Sequence, residues 1–164
     1  MFAGNWVNPG WQFRLQFIRY GNSLGPRIQF SVRTGSSGAT AQRSFDPANA
    51  GWFNITGTWD GSLVKVYTNG TPGPSQGLTG TINNSNEIIE LGGQTQNTAS
   101  NLNGKLSNVA IWKNTALTQP EVTEVYNNGA PLNLNNFSGN APTALYKLNA
   151  SEIFNNTSTE WSID

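Results

Sequence analysis

Glu87 and Glu90, in the stretch NEIIE, are the only acidic pair on a predicted strand of this chain. Glycoside hydrolysis with retention needs two carboxyl groups about 5–5.5 Å apart, flanking one bond. A spacing of three on a strand of period two sends the side chains to opposite faces, which argues against that chemistry. Glu121 and Glu124 share a helical face, but a helix cap and a solvated surface explain them more simply. The sequence has no histidine and no cysteine. That removes the Ser-His-Asp relay, the imidazole base, the thiolate nucleophile and His- or Cys-ligated metal. The chain reads as a non-enzyme, and its chemistry has to be sought in neutral hydrogen-bonding groups.

Those groups fall on two predicted strands. In WQFRLQF, Trp11, Phe13, Leu15 and Phe17 alternate with Gln12, Arg14 and Gln16; in RIQFSVR, Ile28, Phe30 and Val32 alternate with Arg27, Gln29, Ser31 and Arg33. Period-two alternation is the pattern of a half-buried strand. The intervening GNSLGP carries the Gly, Asn and Pro that a hairpin loop requires. Pairing the two strands puts Arg14, Gln16, Gln29, Ser31 and Arg33 in one stripe, with Asn54, Thr56, Lys65 and Tyr67 as an extension from other strands. Planar amides and guanidinium groups beside an aromatic ring suit a sugar ligand. A merely solvated face in an Asn- and Thr-rich chain has the same pattern, so both readings stand.

The remaining elements follow at regular spacing. Strands are predicted at 52–59, 63–68, 87–91 and 105–112, separated by Asp60-Gly61, by TNGTPGPSQG and by GGQTQNTASNLNG. Many short alternating strands with Gly and Pro turns indicate an all-β, two-sheet antiparallel sandwich or a barrel. Asp60-Gly61 as a two-residue turn predicts type I′ geometry. One short helix is predicted near 119–128: Thr118 and Glu121 form an S/T-x-x-E capping box, Pro120 suits an early helical position, and Gly129 is placed for a left-handed stop. Its packed side holds Val122, Val125 and Tyr126. Trp11, Trp52, Trp59 and Trp112 are expected in the core, with Trp6 and Trp161 less constrained.

Composition narrows the partners. The 164 residues are 36% hydrophobic and only 11% charged, with a formal net charge of zero; soluble domains average about 25% charged. A neutral chain of pI about 6.2 offers no electrostatic footprint for nucleic acid. No apolar run reaches the roughly 20 residues of a membrane span, and MFAGNWVNPG has neither the basic start nor the apolar run of a signal peptide. Membrane insertion is not expected.

The ordered set Trp52, Gly57-Thr58-Trp59-Asp60-Gly61, Tyr67, Asn69-Gly70, Gly92-Gly93, Leu102-x-Gly104-Lys105-Leu106, Val109-x-Ile111-Trp112, Leu117, Glu121, Tyr126 and Gly129 resembles the laminin-G-like domains of the concanavalin-A-like lectin and glucanase superfamily. The resemblance implies a jelly roll of two antiparallel sheets, found outside cells, on a cell surface or on a virion surface, and most often binding glycans or proteins. It implies 1–135 as the sandwich, lacking the usual opening strands. Residues 136–164 would then complete that sandwich or begin the next repeat of a tandem array; 144–149 is the stretch that could fill the vacant position or add to a neighbouring subunit. No cofactor is required. Calcium, which some such domains hold at the sandwich rim, would have Asp60 and Asp46 as its ligands here, although six to eight oxygens are needed and no D-x-D-x-D-G loop is present. The expectation is a glycan-recognition or adhesion module of a larger surface protein; the rival is a structural assembly module, such as a capsid decoration or fibre subunit, whose partner is a neighbouring protein subunit.

Overall fold

In the computed structural model the residues described are 11–18, 25–46, 51–82, 88–93 and 101–148, with 3–4, 153–155 and 160–162 as backbone only. The elements, in order, are β1 (Ala3–Gly4), β2 (Phe13–Ile18), β3 (Arg27–Thr34), β4 (Ser37–Ser44), β5 (Ile55–Trp59), β6 (Leu63–Thr68), β7 (Thr71–Pro72), β8 (Gln76–Gly77), β9 (Glu90–Leu91), β10 (Val109–Ile111), helix α1 (Gln119–Tyr126), β11 (Ala144–Tyr146), β12 (Ile153–Asn155) and β13 (Glu160–Ser162).

The first sheet runs β4-β3-β2-β1-β9 and the second centres on β6, which pairs with β5, β7 and β8. All pairings are antiparallel. The β2–β3 hairpin follows the alternation: Phe13 lies opposite Val32, Leu15 opposite Phe30 and Phe17 opposite Ile28. These residues face Val64 and Val66 of β6, and Ile28, Val32, Val64 and Val66 are completely or almost completely buried. Full burial of a valine or isoleucine contributes about 1.5–3 kcal/mol. Four such side chains therefore anchor the contact between the sheets. Arg43, on the inward side of β4, ties the sheets together at one edge, donating from Nε to Thr68 Oγ1 at 2.6 Å and from a terminal nitrogen to the Pro72 carbonyl at 2.7 Å.

Alternation in β6 leaves Lys65 and Tyr67 on the outer face of the second sheet. Helix α1 covers that face: Tyr67 is 2% exposed and packs with Leu117, Val122 and Phe137. The helix begins where the capping box predicts, with Glu121 Oε2 accepting from the Thr118 amide at 2.6 Å and its hydroxyl at 2.7 Å. It ends earlier than expected. Asn127 already adopts left-handed geometry (φ +45°), ahead of Asn128 and Gly129. Glu124 binds the amide of Ser138 at 2.8 Å and also its hydroxyl, so it fastens the following loop instead of facing solvent alone.

Other expectations change. β4 was not anticipated. The predicted strands at 52–59, 87–91 and 105–112 shorten to β5, β9 and β10, with Glu87 outside the described residues. Trp52 precedes β5 and is 67% exposed, so it is not a core residue. Trp59 and Trp112 do pack against the two apolar clusters. Their indole nitrogens donate to the carbonyls of Leu78 at 2.9 Å and Asn140 at 2.7 Å. Trp6 lies outside the described residues, and Trp161 pairs by backbone with Phe154. The stretch 144–149 contributes β11, whose Ala144, Leu145 and Tyr146 pair with Ile111, Ala110 and Val109 of β10.

Candidate functional site

The outer face of the first sheet is built by register. β2, β3 and β4 align Gln16 with Gln29 and Gln29 with Gln42, and align Arg14 with Ser31 and Ser31 with Thr40. The three glutamines form a ladder across the strands: Gln16 Nε2 donates to Gln29 Oε1 at 3.0 Å, and Gln29 Nε2 donates to Gln42 Oε1 at 3.1 Å. Gln29 thereby spends one acceptor and one donor, and Gln16 and Gln42 one group each, so every amide keeps hydrogen-bonding capacity beyond the ladder. Beside the ladder, Ser31 Oγ and Thr40 Oγ1 share a hydrogen bond of 2.9 Å.

Trp11 sits on this face, not in the core. The Arg14 guanidinium carbon lies 4.6 Å from the centre of its ring and that of Arg33 lies 5.7 Å away. Both distances are within the range of cation–π attraction. Burial lowers the Arg14 pKa from its usual value, because the charged form loses solvation. An arginine remains charged through any such shift at neutral pH.

The predicted site residues therefore divide. Arg14, Gln16, Gln29 and Arg33 share one face and are half-buried. Ser31 belongs to the same row but is 0% exposed, its hydroxyl bonded to Thr40, so it holds the neighbouring strand and does not meet a ligand. Lys65 and Tyr67 lie on the opposite outer face of the sandwich, with Asn54 and Thr56 on the β5 side. They cannot extend the first stripe, because the core separates the two faces. Tyr67 is further removed by burial under α1, which corrects its assignment as a ligand contact.

Residues that sequence reasoning missed complete the face: Gln42 and Thr40 of β4, and Trp11. Gln16, Gln29 and Gln42 lie 13 residues apart, but the separation of antiparallel partners changes from row to row, so this spacing was no signal for Gln42.

Asp60 works as a turn residue. Its Oδ1 accepts from the Leu63 amide at 2.8 Å and from the Ser62 amide and hydroxyl, both at 2.9 Å. The bond to Leu63 leads, with those to Ser62, in holding its pKa below the ordinary carboxylate value. Pairing of Trp59 with Val64 makes Gly61 and Ser62 the central turn residues, in place of Asp60 and Gly61. Only Gly61 (φ +92°) is left-handed there, the signature of type II′ and not of the expected type I′. Asp46 is exposed just beyond β4. Among the described residues no three acidic side chains cluster as a metal site would require. With one oxygen of Asp60 engaged by three donors, the pair does not fit a carboxylate-built calcium site.

Two packed antiparallel sheets, the second covered on its outer face by one short helix, define a β-sandwich. The chain belongs to the laminin-G-like family of the concanavalin A-like lectin/glucanases superfamily, whose profile matches residues 2–123. It is similar to pappalysin-1 of Homo sapiens, at 28% identity over 163 residues covering 93% of this chain, and to pappalysin-1 of Mus musculus, at 27% over 122 residues covering 69%. The chain spans only 9% and 7% of the length of those relatives.

Proposed function

We propose that the chain is a non-catalytic recognition module, exposed outside the cell or on a particle surface, that binds a glycan on the outer face of the first sheet. The observation that carries this reading is the Gln16–Gln29–Gln42 ladder set beside Trp11 under the Arg14 guanidinium. A sugar ring offers an apolar C–H face and a rim of hydroxyls that both donate and accept. Aromatic rings serve the first and planar amides the second. A laminin-G-like fold supports binding in general, and the ladder favours a hydroxyl-rich ligand, with the Arg14 and Arg33 guanidinium groups on the same face.

A glycan array tests the proposal with the intact chain and with the Trp11→Ala and Gln29→Ala variants, each checked for native unfolding. Loss of one stacking ring or one ladder amide should weaken any array hit at least about tenfold, equivalent to roughly 1.4 kcal/mol. Hits that persist in both variants would move the site elsewhere. A blank array accompanied by defined oligomers in solution would favour the rival reading, a structural module whose edges make assembly contacts.

A further inference from the structure

The cover that α1 gives the second sheet is incomplete. It buries Tyr67 but leaves Lys65, two residues earlier on the same outward side of β6, half-buried. Above Lys65 lies a cleft of about 500 Å³, set between β5 and the segment 72–75, with 116–119 on the approach to α1 as a further wall. Small-molecule sites run from about 300 to 1,000 Å³.

Register places three polar side chains in it. Thr58 lies opposite Lys65 in the β5–β6 ladder. On the other side of β6, the Gly73 amide donates to the Val66 carbonyl at 2.8 Å, and Gln76 lies opposite Val64. Pro74 and Ser75 are therefore set against the single residue Lys65, which is a β-bulge. Bulges re-aim side chains and recur beside functional sites. Ser75 lines the cleft together with Thr58 and Lys65, so an ammonium group is flanked by a hydroxyl on either side.

The protein does not use these groups itself. Thr58 is 8% exposed, yet among the described residues its hydroxyl has no hydrogen-bond partner, and the Lys65 ammonium and Ser75 hydroxyl have none either. Buried hydroxyls are ordinarily paired. The Thr58 oxygen is not sealed from outside, and the cleft is the space it borders. A half-buried ammonium without an ion pair favours an anion beside it. Asp60, at the edge of the same cleft, limits the charge of that anion, because its carboxylate repels a doubly charged group such as phosphate. A single carboxylate suits Lys65, and ligand hydroxyls suit Thr58 and Ser75.

We propose that this cleft binds an acidic monosaccharide, a uronate, with its carboxylate against Lys65 and its ring hydroxyls on Thr58 and Ser75. The site lies on the opposite side of the sandwich from the glutamine ladder and is independent of the function proposed for that face.

The probe is sodium glucuronate, titrated into the intact isotopically labelled chain and followed by amide NMR shifts. The Thr58, Lys65 and Ser75 amides should move saturably. Glucose, which lacks the carboxylate, and acetate, which lacks the hydroxyls, should each bind there at least about tenfold more weakly. Lys65→Gln and Thr58→Val should each weaken glucuronate binding at least about fivefold. Valine keeps the shape of threonine and removes an unpaired hydroxyl, so the urea midpoint of Thr58→Val should be no lower than that of the wild type. A lower midpoint overturns the proposal, because the hydroxyl would then be engaged within the protein. Absence of a saturable shift overturns it, as does equal binding of glucose or acetate, or undiminished glucuronate binding by either variant.

Discussion

Gly57→Ala should destabilise the sandwich by about 1–3 kcal/mol, the usual cost of forcing extra volume into a packed core. Gly57 lies opposite Val66 in the β5–β6 ladder, and the ring of Phe30 from the facing sheet rests directly over its α-carbon. A methyl group there would stand 2.8 Å from Phe30 Cδ1 and closer still to Cγ and Cδ2. Carbon atoms pack at about 3.5–4.0 Å, so the overlap is at least about 0.7 Å at the nearest approach allowed. Phe30 is 9% exposed, with Ile28 and Val32 on either side along β3, and it has little room to retreat. For a chain of this size about 2–4 °C is lost per kcal/mol, so the melting temperature should drop by about 2–12 °C. Urea unfolding of the wild type, Gly57→Ala, Phe30→Leu and the double variant tests the cause. Removing the ring should absorb most of the alanine penalty, giving a coupling of at least about 0.5 kcal/mol. A neutral Gly57→Ala, or penalties that simply add, would refute the close approach of the two sheets at this point.

Two further outcomes separate structural from ligand roles. Tyr67→Ala should cost about 3–5 kcal/mol, as for a buried aromatic ring, and urea unfolding should register that loss in the absence of any ligand; a stability change below about 0.5 kcal/mol would place Tyr67 on an open surface. Asp60 has a depressed folded pKa, so its contribution is present above the ordinary carboxylate pKa and is lost as pH falls through the lower folded value. Asp60→Asn should flatten that acid limb in a series of urea midpoints against pH, whereas an unchanged limb would mean that the bonds to Leu63 and Ser62 do not form in solution.

The sandwich was legible wherever large apolar residues alternate with polar ones. The β2–β3 pair and β6 were foreseen from that pattern, and the start of α1 from its capping box. β4 escaped because its inward positions are Ala39, Ala41 and Arg43, two small residues and a charge, which give almost no hydrophobic period. Trp52 was misplaced because 52 and 59 have opposite parity. Once Phe53, Ile55 and Trp59 face inward, Trp52 must face out. Trp11 shows a different limit. It precedes the first paired residue of β2, so the strand's alternation does not bind it, and attraction to Arg14 and Arg33 takes it to the polar side. Tyr67 was placed correctly on the outward side of β6, but local pattern carries no information that a helix some 50 residues later would cover it. Half of the glutamine face was therefore visible from two strands, and the other half depended on a strand that composition conceals.

The glutamine ladder also sets the conditions under which such a face can operate. Carboxamides and hydroxyls neither gain nor lose protons in water, and a guanidinium group is not deprotonated in proteins. β2, β3 and β4 carry no aspartate, glutamate, histidine, lysine or tyrosine. Whatever settles on these strands meets the same array of donors and acceptors in an acidified compartment, in seawater or in neutral buffer. Its release must come from competition, dilution or mechanical load, because acid offers no trigger there.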